Sequence, residues 1–324
     1  MQTNDFSFQH LSPNAVLNAI ESLGLEVDGR LFELNSFENR VFQIGILDQA
    51  PLIAKFYRPG RWSAAQIQEE HDFTLQLEED EVPAIAPLVF NGKSLFHAEG
   101  YYFALYRRQG GYAPELDIKE HLESIGRTLG RIHAYGSSQL YKARPSYSLE
   151  EMGSKSAQHL IENHIPTHHV QIYKDITDQI FTTIDQHASQ IYVLPQLRLH
   201  GDCHLGNILW QDPHPFFVDF DDSVNGPQIG DLWMLYSLSQ DQELNKERLY
   251  TLLDGYEMFY EFDDEQLRYC EVFRTLRMIN YTSWVGTRWN DPAFKRAFPW
   301  FDKDGYWLEH ARDLEQQYQK LLKI

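Results

Sequence analysis

The sequence predicts an α+β protein of two lobes: a small sheet-plus-helix lobe over residues 1–106 and a larger, mostly helical lobe over residues 107–324, joined by a hinge at about 104–111. Three observations predict this. The first 106 residues alternate strand-like apolar runs with one well-capped long helix. Arg107-Arg108-Gln109-Gly110-Gly111 then interrupts the pattern with turn-forming residues. Beyond that point apolar residues recur mainly at helical spacing.

Taken in order, Ser12-Pro13 opens a short amphipathic helix carrying Ala15, Val16, Ala19, Ile20 and Leu23, and Gly24 ends it. Serine is a good N-cap, proline suits the first turn and glycine suits the C-terminal end. Strands are predicted at 40–46 and 52–57, with the turn residues Asp48-Gln49-Ala50-Pro51 between them and Arg58-Pro59-Gly60 after them. Ser63-Ala64-Ala65-Gln66 has the capping-box pattern and starts a helix to about Glu79, with Ile67, Phe73, Thr74 and Leu77 on one face. Two further strands are expected at 82–90, interrupted by Pro83 and Pro87, and at 101–106. Asp117 and Glu120 form a second capping pair ahead of the stripe Ile118, Leu122, Ile125, Leu129 and Ile132, a helix ending near Gly136. Helices are also expected at about 231–240, 243–260, 264–289 and 304–322, and short strands at 191–199, 208–210 and 216–218.

Composition narrows the function. With 43% hydrophobic and 14% aromatic residues in 324, the chain has ample material for a core, which excludes wholesale disorder. A net charge of −19 repels phosphate backbones and anionic lipids, and Lys and Arg form no run, so neither nucleic acid nor membrane is an expected partner. Residues 1–6 lack the basic and apolar regions of a secretory signal, and no apolar stretch is long enough to span a bilayer. Cys203 and Cys270 are too few for a disulfide framework or a thiolate zinc cage. A monomer in a reducing cytoplasm is the expectation.

The sharpest chemical signal is His200-Gly201-Asp202-Cys203-His204-Leu205-Gly206-Asn207, which follows an apolar run and precedes Ile208-Leu209-Trp210. Asp202 and Asn207 have the Asp-x4-Asn spacing of phosphoryl-transfer loops. A carboxylate can orient an acceptor hydroxyl and take its proton, and an amide oxygen can ligate Mg²⁺ without adding charge beside phosphates. Phe216-Phe217-Val218-Asp219-Phe220-Asp221-Asp222 then ends a second apolar strand in carboxylates. A hairpin through Gln211-Asp212-Pro213-His214-Pro215 would return Asp219 to Asn207, giving Mg²⁺ two protein oxygens. Lys55, inside an apolar strand, needs a negative partner. Glu70, at the middle of the inward face of the helix after Ser63, is the expected one, and Glu69 lies at that face's edge. Lys55 would also reach the phosphates of a nucleotide.

Other residues carry plainer readings. His200 orients the loop backbone and Asp231 N-caps the following helix. For His204 a phosphate or loop role stands level with packing. Asp221 ranks below Asp219 as a metal ligand, because strand alternation aims it the same way but further out, and Asp222 is expected in solvent. His164, His168 and His169 have no thiolate or carboxylate at ligand spacing, so a solvated surface is expected rather than zinc. Trp284, Trp289, Trp300 and Trp307 read as helical core or an acceptor-site wall, and Cys203 as inert packing.

Lys55, the His-Gly-Asp-x-His-x-x-Asn loop and Asp219-Phe220-Asp221, in this order, resemble the protein-kinase-like phosphotransferases of the aminoglycoside/choline kinase branch. Leu129-Gly130-Arg131-Ile132-His133 is similar to a helix end of that branch, so the resemblance spans almost the whole chain. Within the branch, bacterial serine/threonine kinases of the stress response are similar at Leu34-Asn35-Ser36-Phe37-Glu38-Asn39-Arg40-Val41, Lys55-Phe56-Tyr57-Arg58-Pro59, and Asn225-Gly226-Pro227 followed by Asp231-Leu232-Trp233-Met234. The resemblance implies ATP and Mg²⁺ as cofactors and a hydroxyl acceptor, with protein serine or threonine as the leading one. It assigns phosphate cover to backbone N–H groups and the Ser36 hydroxyl, although no Gly-x-Gly-x-x-Gly separates the first two strands. Adenine would meet the hinge at 104–106. A small-molecule kinase is the alternative. A nucleotide-gated scaffold without activity comes third, since Lys55, Asp202, Asn207 and Asp219 are all present.

Overall fold

A computed structural model describes residues 8–239 and 241–324, so the reading of residues 1–6 lies outside the described residues. The elements are α1 (Pro13–Glu21), β1 (Val27–Leu34), β2 (Arg40–Ile46), β3 (Leu52–Phe56), α2 (Ala64–Glu79), β4 (Phe96–Ala98), β5 (Tyr101–Arg107), α3 (Lys119–Gly136), α4 (Ser156–Asn163), α5 (Thr167–Tyr192), β6 (Leu197–Arg198), β7 (Ile208–Gln211), β8 (His214–Phe217), α6 (Ile229–Tyr236), α7 (Gln242–Tyr256), α8 (Cys270–Thr287), α9 (Pro292–Ala297) and α10 (Asp304–Leu321). They fall into two compact units. One holds residues up to Pro145 with Leu197–Asn225 and Met234–Phe262, the other Ser146–Gln196, Gly226–Trp233 and Asp263–Ile324.

In the first unit an antiparallel sheet in the order β1-β2-β3-β5-β4 buries one face under α1. Phe42, Ile44, Ala54, Phe56, Phe103 and Leu105 meet Val16, Ala19 and Ile20 there. On the opposite face Tyr57 and Ala104 pack against Ile67 of α2. The caps of α1 and α2 form as expected: the Ser12 hydroxyl accepts from the Ala15 N–H at 3.2 Å, and Ser63 and Gln66 satisfy each other in a full capping box.

α3 and α7 approach so closely that small residues are obligatory. A Cβ on Gly126 would stand 2.0 Å from the Leu252 carbonyl oxygen, and one on Gly130 would stand 2.4 Å from that of Tyr256. His133 and the Tyr256 hydroxyl, 2.8 Å apart, tie the helices together at the end of that contact. In the second unit Trp307 is buried against Phe301 and Tyr306, and Trp284 contacts Tyr281, Phe294 and Phe298. Of the four tryptophans of this segment Trp307 is helical core, whereas Trp284, Trp289 and Trp300 are half-buried.

Several elements differ from expectation. Residues 82–90 form only isolated bridges, such as Ala84 with Phe217, because Pro83 and Pro87 cannot donate to a ladder. Asp117 does not cap α3; it pairs with Arg248 at 2.8 Å, and Ile118 precedes the helix with no side-chain cap. The strand expected at 191–199 shrinks to Leu197–Arg198, since α5 runs on to Tyr192. Asp231 lies within the first turn of α6 rather than at its cap.

Candidate active site

Lys55 occupies the central strand β3, opposite Val41 of β2 and Ala104 of β5. Alternation sends Ala54 and Phe56 into the core under α1 and Lys55 to the other face, where it is 7% exposed. Its Nζ donates to Asp219 Oδ1 at 2.7 Å and lies 3.4 Å from Asp221 Oδ1. Burial works against the ammonium, but Asp219 and Asp221 outweigh it and hold the Lys55 pKa well above its ordinary value.

The expected Lys55–Glu70 ion pair is not the one formed. Glu70 does face inward and is buried, but Lys55 is turned to the two aspartates, which can approach it end-on from the turn after β8. Burial pushes the Glu70 carboxyl up to about 7, with the more distant Lys55 and Arg144 only partly offsetting it. Its neighbour His71, Nε2 3.8 Å from Glu70 Oε2, is held down at about 3 by burial and gives no compensating charge. The sign follows: a carboxyl raised in the folded state contributes stability at pH below its unfolded value and loses it as pH rises to about 7. Glu70→Gln is therefore expected to gain stability relative to the parent as pH rises from about 4.5 to about 7, by roughly 3 kcal/mol in all. Urea unfolding of both proteins across pH 4–8 measures it, and a flat difference would show that Glu70 stays charged.

Glu69 has a separate task. Its carboxylate accepts the N–H groups of Lys142, Ala143 and Arg144, each at 2.9 Å, and so anchors that turn to α2.

The loop after β6 is built around His200. Its Nε2 donates to the Val218 carbonyl at 2.9 Å, and its Nδ1 accepts from the Asp202 N–H at 3.3 Å, so one tautomer serves both contacts. This is the backbone-orienting role the sequence suggested. Gly201 has φ +86°, and a Cβ there would stand 2.0 Å from the Asp222 carbonyl oxygen, so only glycine fits. The Asn207 amide donates to the Asp202 carbonyl at 2.9 Å and lies 3.4 Å from Asp202 Oδ2. That commits its nitrogen to the loop and leaves Oδ1 as the acceptor. His204 takes a loop role: Nδ1 accepts from the Gly206 N–H at 2.9 Å, and Nε2 sits 3.4 Å from Asp202 Oδ2. Cys203 is fully buried, as inert packing requires.

The hairpin β7–β8 pairs Ile208 with Phe217, and the Val218 N–H donates to the Asn207 carbonyl at 3.0 Å. Asp219 thus follows directly beside Asn207. Its backbone is left-handed (φ 61°, ψ 64°), and its side chain remains 51% exposed although one oxygen meets Lys55. Phe220–Asp222 is a 3-10 turn, so strand alternation does not apply beyond Asp219. Asp221 turns inward onto Lys55 instead of lying on the Asp219 side further out. It is buried, accepts from Asn39 Nδ2 at 3.1 Å and pairs with Arg61 as well as Lys55. Burial opposes its charge, but Lys55, Arg61 and Arg144 overcome that and hold its carboxyl well below the usual range. Asp222 is not simply solvated: it pairs with Arg61 at a half-exposed position.

Sequence reasoning missed four residues of this framework. Asn39 also accepts from the Arg58 N–H at 3.0 Å through Oδ1. Arg58 in turn holds the carbonyls of Glu38 at 2.9 Å and Phe37 at 3.1 Å, which fixes the loop between β1 and β2 that contains Ser36. Arg61 joins Asp221 and Asp222, and Arg144 Nη1 donates to the carbonyls of Asp221 at 2.9 Å and Ser223 at 2.8 Å. The signals were the segments Leu34–Val41 and Lys55–Pro59, which carry Asn39 and Arg58, and the Arg58-Pro59-Gly60-Arg61 cluster at the end of a strand; none of them pointed to Arg144. Ser36 itself lies half-buried in its loop and makes no hydrogen bond with Lys55 or Asp219 among the described residues. The structure thus gathers Lys55, Asp202, Asn207 and Asp219 in the first unit, with Glu70 behind Lys55 and Ser36 apart from the cluster.

A comparison of the sequence with known families matches residues 32–270 to the phosphotransferase enzyme family, a span that contains this whole cluster. The chain belongs to that family. This enzyme is 42% identical to stress response kinase A of Escherichia coli over 319 residues, 98% of this chain and 95% of that one. It is 41% identical, over 319 residues and the same shares, to serine/threonine protein kinase RdoA of Salmonella typhimurium. The resemblance to stress response kinases read from the motifs is borne out at full length. Among solved structures, amicoumacin kinase hAmiN in complex with AMP-PNP, Ca²⁺ and Ami superposes with a TM-score of 0.72 at 18% identity, covering 98% of this chain and 93% of that one. The phosphotransferase has the α+β, protein-kinase-like fold of the aminoglycoside and choline kinases. No helix among its described residues is long and apolar enough to cross a membrane.

Proposed function

We propose that this enzyme transfers the γ-phosphoryl group of ATP, with Mg²⁺, to serine or threonine hydroxyls of a protein. The observation that supports it best is the cluster itself: one buried ammonium, a half-exposed carboxylate beside an amide oxygen, and a second carboxylate on the loop that holds that amide. The protein acceptor rests on the serine/threonine kinase at 41% identity, and nucleotide and divalent ion on the kinase solved with AMP-PNP and Ca²⁺.

The donor set suits a hard cation. Asp219 and Asn207 offer oxygen only, and Asp219 keeps exposed surface for a ligand. When bound, Mg²⁺ would neutralise charge on the phosphates. Lys55 would exchange part of its contact with Asp219 for phosphate oxygens, still steadied by Asp221 at 3.4 Å. Asp202 orients the acceptor hydroxyl for in-line attack and receives its proton, with His204 and Asn207 fixing the carboxylate's setting. Ser36 and its neighbours would cover the phosphates, residues 104–106 would meet adenine, and Glu70 would support Lys55 from α2. In this reading residues 1–106 and 107–324 act as the nucleotide-binding and acceptor-binding lobes.

The second reading, a kinase of small hydroxyl compounds, is favoured by the likeness to the amicoumacin kinase fold. Incubation with labelled ATP plus a protein extract, and separately with a metabolite pool, distinguishes the two. Label in protein serine or threonine is expected, and label found only in a metabolite would replace the first reading by the second. Asp219→Asn tests the metal assignment: it keeps the left-handed backbone within reach but weakens the oxygen set, so a higher Mg²⁺ requirement and a lower kcat are expected. A Mg²⁺ titration matching the parent would remove Asp219 as a ligand.

A further inference from the structure

The first turn of α5 brings two adjacent histidines, His168 and His169, against Asp304, the first residue of α10. Both imidazoles aim the same atom at the same oxygen. Nε2 of His168 lies 2.7 Å, and Nε2 of His169 3.3 Å, from Asp304 Oδ1, with the ring centroids 4.1 Å apart. His169 Nε2 is also buried and makes no hydrogen bond of good geometry. A buried ring nitrogen whose one close partner is a carboxylate at 3.3 Å, turned to a point that a second imidazole shares, is placed to ligate a cation there.

We propose that His168, His169 and Asp304 form a surface site for a divalent transition metal, zinc by preference, that staples the start of α5 to the start of α10. One ligand atom from each residue lies within 4.8 Å of the others. Around tetrahedral zinc with bonds of about 2.0–2.2 Å, donors stand roughly 3.3 Å apart. His169 already has that spacing from Asp304, and His168, whose side chain is 64% exposed, can withdraw from 2.7 Å without disturbing the core. Two imidazoles and one carboxylate leave a coordination position for water and select Zn²⁺, Ni²⁺, Co²⁺ or Cu²⁺ over Mg²⁺ and Ca²⁺, which prefer oxygen alone. None of the three belongs to the set Lys55, Asp202, Asn207 and Asp219, so the metal is given no part in phosphoryl transfer. Its task is mechanical: α5 and α10 begin 137 residues apart in sequence, since Thr167 opens one and Asp304 the other, and a metal bond would fasten those ends.

The test uses the full chain with saturating Mg²⁺ to occupy the nucleotide site. Titration with ZnCl₂ against a chromophoric chelator is expected to show one tight equivalent and a raised unfolding midpoint. Asp304→Asn and the double variant His168→Asn/His169→Asn are each expected to weaken that equivalent by at least about tenfold and to abolish the shift. Their kinase activity without zinc should equal the parent's. His168 and Asp304 are largely exposed, so the single variant Asp304→Asn keeps the test readable if the double variant folds poorly. Undiminished zinc binding in Asp304→Asn, an equal shift with Ca²⁺, or no tight equivalent in the parent would each overturn the proposal.

Discussion

Asp202→Ala is expected to lower kcat by about 10²–10⁴-fold, the usual loss when a positioned acid–base group is removed, while nucleotide binding stays measurable. The separation arises because the loop does not depend on the Asp202 side chain for its shape. Asn207 donates to the Asp202 main-chain carbonyl, and His200 accepts from its main-chain N–H, both of which survive in the alanine variant. Lys55 and Asp219, the groups that meet phosphate and metal in our reading, stay paired. Single-turnover phosphorylation alongside nucleotide titration gives both quantities. Unchanged turnover would remove Asp202 as the base, and a parallel loss of nucleotide affinity would make its role structural.

Asp221→Ala is expected to cost about 3–5 kcal/mol of stability, as removal of one partner from a buried ion pair generally does. Asp221 serves Lys55, Arg61 and Asn39 at once from a fully enclosed position. Without it the acidic partners left to Arg61 among the described residues are Asp222 and a Glu38 oxygen 3.7 Å away, and one hydrogen of the Asn39 amide loses its acceptor. Asp222→Ala makes the control: that carboxylate is 46% exposed, so its loss is expected to cost no more than about 1 kcal/mol. Denaturant unfolding of both variants decides the matter. Similar losses would mean that Asp221 is not the hub of the network, and its burial would then need another cause.

Much of this was legible from the sequence because each chemical residue sits at the end of an apolar strand or at a fixed spacing. Lys55 stood out as a cation among strand residues, and Asp202 and Asn207 through their five-residue interval. The hairpin between β7 and β8 then had to return Asp219 to Asn207. What local pattern cannot carry is a partner more than a hundred residues away. Glu70 faces inward as its helical position requires, yet Lys55 is claimed by aspartates 164 and 166 residues downstream. Asp221 was misplaced because a strand rule was extended into a 3-10 turn. The strand β1 escaped notice for a different reason. As an edge strand it half-buries only Val27, Asp28 and Leu31 while Phe32, Glu33 and Leu34 are all exposed, so no regular alternation is written into its sequence. In the same way His168 and His169 looked solvated because their carboxylate comes from a helix that begins at residue 304.

Asp219's left-handed backbone restricts what evolution or an engineer can place there twice over. Threonine, valine and isoleucine would suffer a steric penalty of about 1–2 kcal/mol before any chemistry is lost, so failure of such variants says nothing about the metal. Glycine and asparagine accept that conformation, and of these only asparagine keeps a side-chain oxygen. The same strained residue therefore defines its own informative mutant, and a saturation scan at this position would confuse folding defects with catalytic ones unless it is read through that single exchange.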